Sequence, residues 1–144
     1  MPRETARLNW HTLWPRMLAS LKSILERDMT TRNVISSYFK RLERKAGWDA
    51  LLADNVVFTS FTSPNQQLSG KQSFIEATKR FYSSIQSFEV RSLLVEGSQA
   101  CALTRYTLQG PAGAFESDVA EIYSVRGGKI DSLGIYFDSA PFPK

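Results

Sequence analysis

One acid stands where its surroundings are apolar. In "VAEIYSV", residues 119–125, strand alternation puts Val119, Glu121, Tyr123 and Val125 on one face and Ala120, Ile122 and Ser124 on the other. A carboxylate on the bulkier apolar face is costly unless it is paired, hydrogen-bonded, protonated or looking into a cavity. Desolvation raises the pKa of such an acid, which would let it give or take a proton near neutrality. The structural alternative is a carboxylate paired with a neighbour such as Arg105 or bonded to a tyrosine. The other reactive residue types lack partners. Ser60 has no adjacent histidine to activate it as a nucleophile. His11 and Cys101 are the single histidine and the single cysteine, too few ligands for a metal site, and no metal is expected. Cys101 reads as a small apolar strand residue.

The elements that must position these residues change character along the chain. "LNWHTLWPRMLASLKSILERD" spaces Trp10, Leu13, Trp14, Met17, Leu18, Leu21, Ile24 and Leu25 as an amphipathic helix, with Pro15 near its start or at a kink. A second helix is predicted from about Asn33 to Lys45, with Val34, Ile35, Tyr38, Phe39 and Leu42 on one side and Thr30 or Thr31 as its cap. "GWDALLADN" reads as a short helix anchored by Trp48, Leu51 and Leu52. "VVFTSFT" (56–62) alternates as a strand, "SPNQQLSG" is a loop by composition, and "KQSFIEATKRFYSSI" returns to helical spacing. Four strand-like segments follow: "FEVRSLLVE", "ACALTRYTL", "SDVAEIYSV" and "KIDSLGIYF". Gly127-Gly128 marks a tight hairpin, and Gly110 and Gly113 around Pro111 a looser turn. Helices first and an antiparallel meander afterwards define an α+β fold, a curved sheet with helices across one face.

The 144 residues suit one domain with a single core, and 42% apolar and 22% charged residues are ordinary globular composition. The net charge of +4 is dispersed, with five bases and three acids in residues 1–28 and 13 bases and 11 acids in the remainder. The basic run "KRLERK" (40–45) suits the end of a helix, and no nucleic-acid motif accompanies it, so no nucleic-acid partner is expected. No apolar run approaches the ~20 residues of a membrane span. One cysteine and no secretion signal point to the cytoplasm.

The element order, together with "VISSYFKRL", "GWDALLADNVVFTSF", "SGKQSFIEATKRF" and "VAEIYSVRGGKIDSLGIYFDSAPF", resembles the SnoaL-like branch of the nuclear transport factor 2-like superfamily. These are cone-shaped α+β rolls that include ketosteroid isomerases, polyketide cyclases and limonene epoxide hydrolases. The resemblance covers about Thr30 to Lys144. It implies a deep, mostly apolar pocket whose acids or tyrosines do proton chemistry, without a cofactor. By position, Tyr38 matches the helix tyrosine that donates a hydrogen bond to an oxyanion in ketosteroid isomerases. Glu121 matches the acid on the penultimate long strand if the hairpin loop is one residue shorter here; a shifted gap puts Ala120 there instead. Ser60 falls near the isomerase aspartate base, which is absent. The Asp-Arg-Asp set of the epoxide hydrolases has no counterpart, and the histidine of the cyclase pair is missing from the matched region.

The resemblance further implies that Thr104 and Tyr106 look toward the pocket as lining or hydrogen-bonding groups. Phe58, Tyr123, Leu133, Ile135 and Phe137 alternate onto the inner face as core and pocket wall, and Asp138 lies at the rim or accepts in a turn. The expected function is binding of a small, largely apolar organic molecule, with cofactor-independent isomerase- or lyase-type proton transfer through Glu121 and Tyr38. The alternative is a non-catalytic binding or dimerisation domain of the same fold. The other sheet face, with Cys101, Leu103, Arg105, Thr107, Ala120, Ile122 and Ser124, suits a homodimer contact. Residues 1–28 are read as a helical extension to a domain of residues 29–144. They cover the sheet or the pocket mouth, bind a partner, or precede a native start at Met29.

Overall fold

The computed structural model describes residues 9–62 and 64–144. Residues 1–8, which include the charges Arg3, Glu4 and Arg7 of the expected extension, and Ser63 in the "SPNQQLSG" loop lie outside the described residues. Helix α1 spans Trp10–Glu43, a short 3-10 turn Trp48–Leu51 follows, and strand β1 runs Leu52–Ser60. Strand β2 (Gln66–Ser69) and helix α2 (Lys71–Tyr82) precede the meander of β3 (Ile85–Glu96), β4 (Gln99–Gly110), β5 (Gly113–Arg126) and β6 (Lys129–Phe137). The six strands form one sheet in the order β2-β1-β6-β5-β4-β3, antiparallel throughout except where β1 runs parallel to β6. The chain is the α+β roll that the sequence predicts.

Several expectations are corrected. The two predicted helices are one, of 34 residues and about 50 Å. No glycine or proline interrupts residues 16–46, and the threonines expected to cap a second helix bond elsewhere. Thr30 donates back to the Glu26 carbonyl at 2.9 Å, and Thr31 donates to the Gly97 carbonyl at 2.7 Å. Pro15 sits in the second turn without ending the helix. Part of the loop "SPNQQLSG" is strand β2, which pairs with β1 from Val57–Ser69 to Ser60–Gln66. A four-residue edge strand rich in glutamine carries no alternating apolar signal, so composition hides it.

Burial follows the strand parity. On β5, Ser117, Val119, Glu121, Tyr123 and Val125 all turn inward, as do Ala100, Ala102, Thr104, Tyr106 and Leu108 on β4. The C-terminal half of α1 lays Ile35, Tyr38, Phe39 and Leu42 against this concave face, with Trp48 and Leu52 beside them and Phe74 of α2 over β1. Gly127 and Gly128 have φ of +59° and +76°, the two left-handed residues that a two-residue hairpin between Arg126 and Lys129 requires. The turn at Pro111-Ala112 is as tight, since Gly110 pairs directly with Gly113. Residues 10–30 of α1 are exposed except for Leu13 and Asp28, which are half-buried. That half of the helix therefore does not cover the sheet or the pocket mouth.

Candidate functional site

Glu121 is 5% exposed, on the central strand of the meander. Both carboxylate oxygens are occupied. Tyr106 donates its hydroxyl to Oε1, while Thr104 and Tyr123 each donate to Oε2 at 3.2 Å. The β4–β5 register explains the cluster: Ala102 faces Glu121 and Thr104 faces Val119, so Thr104 and Tyr106 lie diagonally up the same face. Tyr82, at the end of α2, extends the chain of hydroxyls with its OH 3.3 Å from that of Tyr106. Arg105 is not a partner. It points to the opposite face, where it donates to Asp118 at 2.8 and 3.0 Å and lies 3.3 Å from Glu116.

Burial without a countercharge pushes the Glu121 carboxyl up to about 7, against the three hydrogen bonds from Tyr106, Tyr123 and Thr104, which favour the ionised form. The same burial, joined by the charge of Glu121, raises the phenols of Tyr106 and Tyr123. Tyr38 is raised by burial and by Tyr82 and Glu121. All remain protonated donors at neutral pH, whereas the carboxyl exchanges its proton there.

The carboxyl borders two adjoining hollows, of about 440 and about 320 Å³. Phe58, Gln66, Phe81, Tyr106, Glu121 and Ile135 line both, so they are two lobes of one pocket with the acid at their divide. The larger lobe adds Tyr38, Phe74, Tyr123 and Leu133. The smaller adds Ser60, Ser117, Phe137 and Phe142. Aromatic and aliphatic side chains make up most of the walls, with Ser60, Gln66, Arg80 and Ser117 among the polar residues between them.

Of the residues predicted from the sequence, Glu121, Tyr38, Phe58, Ser60, Tyr106, Tyr123, Leu133, Ile135 and Phe137 are thus brought to one pocket. Thr104 is not a lining residue: it is buried behind Glu121 and bonds it. Asp138 lies outside the lining, and its carboxylate accepts from the Ala140 N–H at 3.0 Å in a turn. Sequence reading missed Tyr82, Phe81 and Gln66 as site residues. Tyr82 lies four and eight residues beyond Thr78 and Phe74, so its helical face was legible, but its approach to Tyr106 depends on how α2 docks. Gln66 was hidden with its strand.

A family model described as a SnoaL-like domain matches residues 37–133, and the chain belongs to that family. Among solved structures, it is similar to a candidate ketosteroid isomerase from Kribbella flavida, at 21% identity and a TM-score of 0.70 over 82% of this chain and 84% of that one. A candidate SnoaL-like polyketide cyclase from a Jannaschia species gives 14% identity and a TM-score of 0.69, covering 82% of this chain and 96% of that one. A nuclear transport factor 2-like protein of unknown function from Mesorhizobium loti gives 18% and 0.67, covering 78% and 93%. No protein of curated function matches the chain. At these identities the structural likeness defines the fold, which hosts many chemistries. Among the described residues, no helix is long and apolar enough to cross a membrane.

Proposed function

We propose that the domain of residues 29–144 binds a small, largely apolar organic molecule in the two-lobed pocket and moves a proton on it. The observation that carries this reading is one carboxyl, pushed up to about 7, at the divide of an aromatic pocket with lobes of about 440 and 320 Å³. Glu121 would take a proton from one atom of the ligand and return it to another, the net change being an isomerisation, or an elimination if a leaving group departs. Tyr38, whose phenol stays protonated at the same pocket, would donate to an oxygen gaining negative charge. Tyr106 would hold the carboxyl, with Ser60 contacting the ligand from the smaller lobe. The chemistry takes no cofactor.

A second reading follows from the saturation of Glu121. With three hydroxyls on two oxygens, the acid can serve as a fixed hydrogen-bonding centre in a domain that binds without turnover. Small apolar ketones, lactones and enones, screened by thermal shift, separate the possibilities. Ligands should raise the melting temperature of wild type but not of Ala77→Trp, whose indole would fill the larger lobe that Ala77 lines. For any compound converted, Glu121→Gln should lose at least a hundredfold in kcat with binding changed by less than a few-fold. Unchanged turnover in Glu121→Gln removes the acid from the chemistry and leaves the binding reading.

We also propose a homodimer through the outer sheet face, in a cytoplasmic setting where the lone thiol of Cys101 stays reduced. Leu94, Cys101 and Ile122 stand opposite one another across β3, β4 and β5, and Leu103, Ala120 and Tyr136 form the next row across β4, β5 and β6. The four large residues are exposed. Ile122→Lys should weaken that contact, as read by sedimentation.

A further inference from the structure

Along α1, Trp10, Trp14, Met17, Leu21 and Ile24 repeat at alternating spacings of four and three, and Asp28, Thr31, Ile35, Tyr38 and Leu42 continue the same series. A 3.5-residue period held this long keeps one seam turned toward a neighbouring helix or core. From Thr31 onward the seam is buried against the protein's own sheet. The cover stops at the β3–β4 turn, where Gly97 donates its N–H to Asp28 at 2.6 Å and accepts from Thr31. Before that point the seam runs on uncovered, its five apolar members and the flanking Leu18 and Leu25 each 46% to 61% exposed.

We infer that a second copy of this chain covers it, the two helices pairing antiparallel along residues 10–28. Antiparallel pairing sets Trp14 against Ile24 and Met17 against Leu21 of the other copy, and brings Trp10 to the level of Asp28, so both ends of the seam meet. Parallel pairing is blocked: because the exposed and buried halves share one face, both globular bodies would claim the same space beyond residue 28. The apolar surface offered amounts to roughly 800 Å² per chain, the share each partner brings to an interface of standard size. The same stretch carries Arg16, Lys22 and Arg27 together with Glu26 and Asp28, with Lys22 3.9 Å from Glu26. Asp28 belongs to the seam, so the opposite face holds three bases, one of them beside Glu26. That is fewer than the cluster of about four to eight that draws a helix onto anionic lipid.

The proposal is independent of the pocket and of the outer-face contact, and the test keeps them apart. Sedimentation equilibrium is run on the full chain in an Ile122→Lys background, with and without Leu21→Lys/Ile24→Lys. The expected result is a dimer for Ile122→Lys alone and a two-fold lower mass with the helix substitutions added. Trp10 and Trp14 emission should move to the blue as concentration rises only where the seam is intact, Trp48 being buried in either state. The substituted residues are exposed, so the melting temperature of the body serves as the folding control. Equal masses in the two chains would overturn the proposal. So would a monomeric Ile122→Lys chain whose helix binds vesicles of phosphatidylcholine and phosphatidylserine, an outcome that assigns the seam to a lipid surface.

Discussion

Glu121 and Asp118 are three residues apart on β5, and their surroundings drive them in opposite directions. Asp118, on the outer face, accepts two bonds from Arg105, which hold its carboxyl below its usual range. Glu121, on the inner face, has only neutral donors, and burial carries it up to about 7. The difference arises from parity. An odd number of steps along a strand moves a side chain from the ion cluster to the aromatic pocket, and so from a permanently charged group to one that exchanges a proton at neutral pH. Hydroxyls satisfy the lone pairs of a buried carboxylate but do not replace the water or cation that would keep it charged.

The sharpest test of this contrast is the pH dependence of stability in wild type and Glu121→Gln. The folded carboxyl holds its proton to a higher pH than the unfolded chain does. Its stabilising contribution is therefore complete below an ordinary value near 4.5 and is lost as pH rises toward about 7. Wild type should lose on the order of 3 kcal/mol relative to the variant across that window, as read from urea unfolding. A flat difference would mean that the acid is as well solvated as Asp118.

Tyr106→Phe probes the donor side of the same comparison. It removes a bond that favours the carboxylate, so the Glu121 carboxyl should titrate above about 7, followed by the 13C shift of its carboxyl carbon. The accompanying loss of stability above that pH should be about 1–2 kcal/mol. A downward movement of the titration would show that the Tyr106 hydroxyl does not favour the ionised carboxylate.

The smallest effect is expected on the outer face. In the Ile122→Lys chain, whose outer face is uncovered, Asp118→Asn should leave unfolding midpoints nearly unchanged, with any difference fading at high salt, because Arg105 and Asp118 are then screened by solvent. A larger, salt-resistant loss confined to the chain that keeps Ile122 is the result the proposed outer-face dimer requires, and equal small losses in both chains would break it.

Much of this was legible in the sequence because alternation is a strong signal wherever one sheet face is apolar. The inward set on β5, the outward set with Arg105 and Ile122, and the Gly127-Gly128 hairpin all follow from residue order. Thr104 shows the limit: parity sends it inward, but whether it lines a pocket or lies behind Glu121 depends on the pairing of β4 with β5. Tyr82 shows another, since its place in the hydroxyl chain depends on the docking of α2. The unbroken α1 was missed because two threonines looked like a cap, and their real partners, Glu26 and Gly97, lie one turn back and in a distant hairpin.

By itself the sequence determined the α+β class, the helical and strand periods, which face of each meander strand turns inward, and that a lone acid lies on the apolar side. These are local properties, set by spacing and by the cost of exposing apolar surface. Only the tertiary structure decided that the acid meets Tyr106, Tyr123 and Thr104 rather than Arg105, that a two-lobed pocket opens beside it, and that half of a 34-residue helix stands clear of the body. Each of these depends on groups far apart in the chain, or on opposite faces of a strand, whose meeting is governed by register and docking.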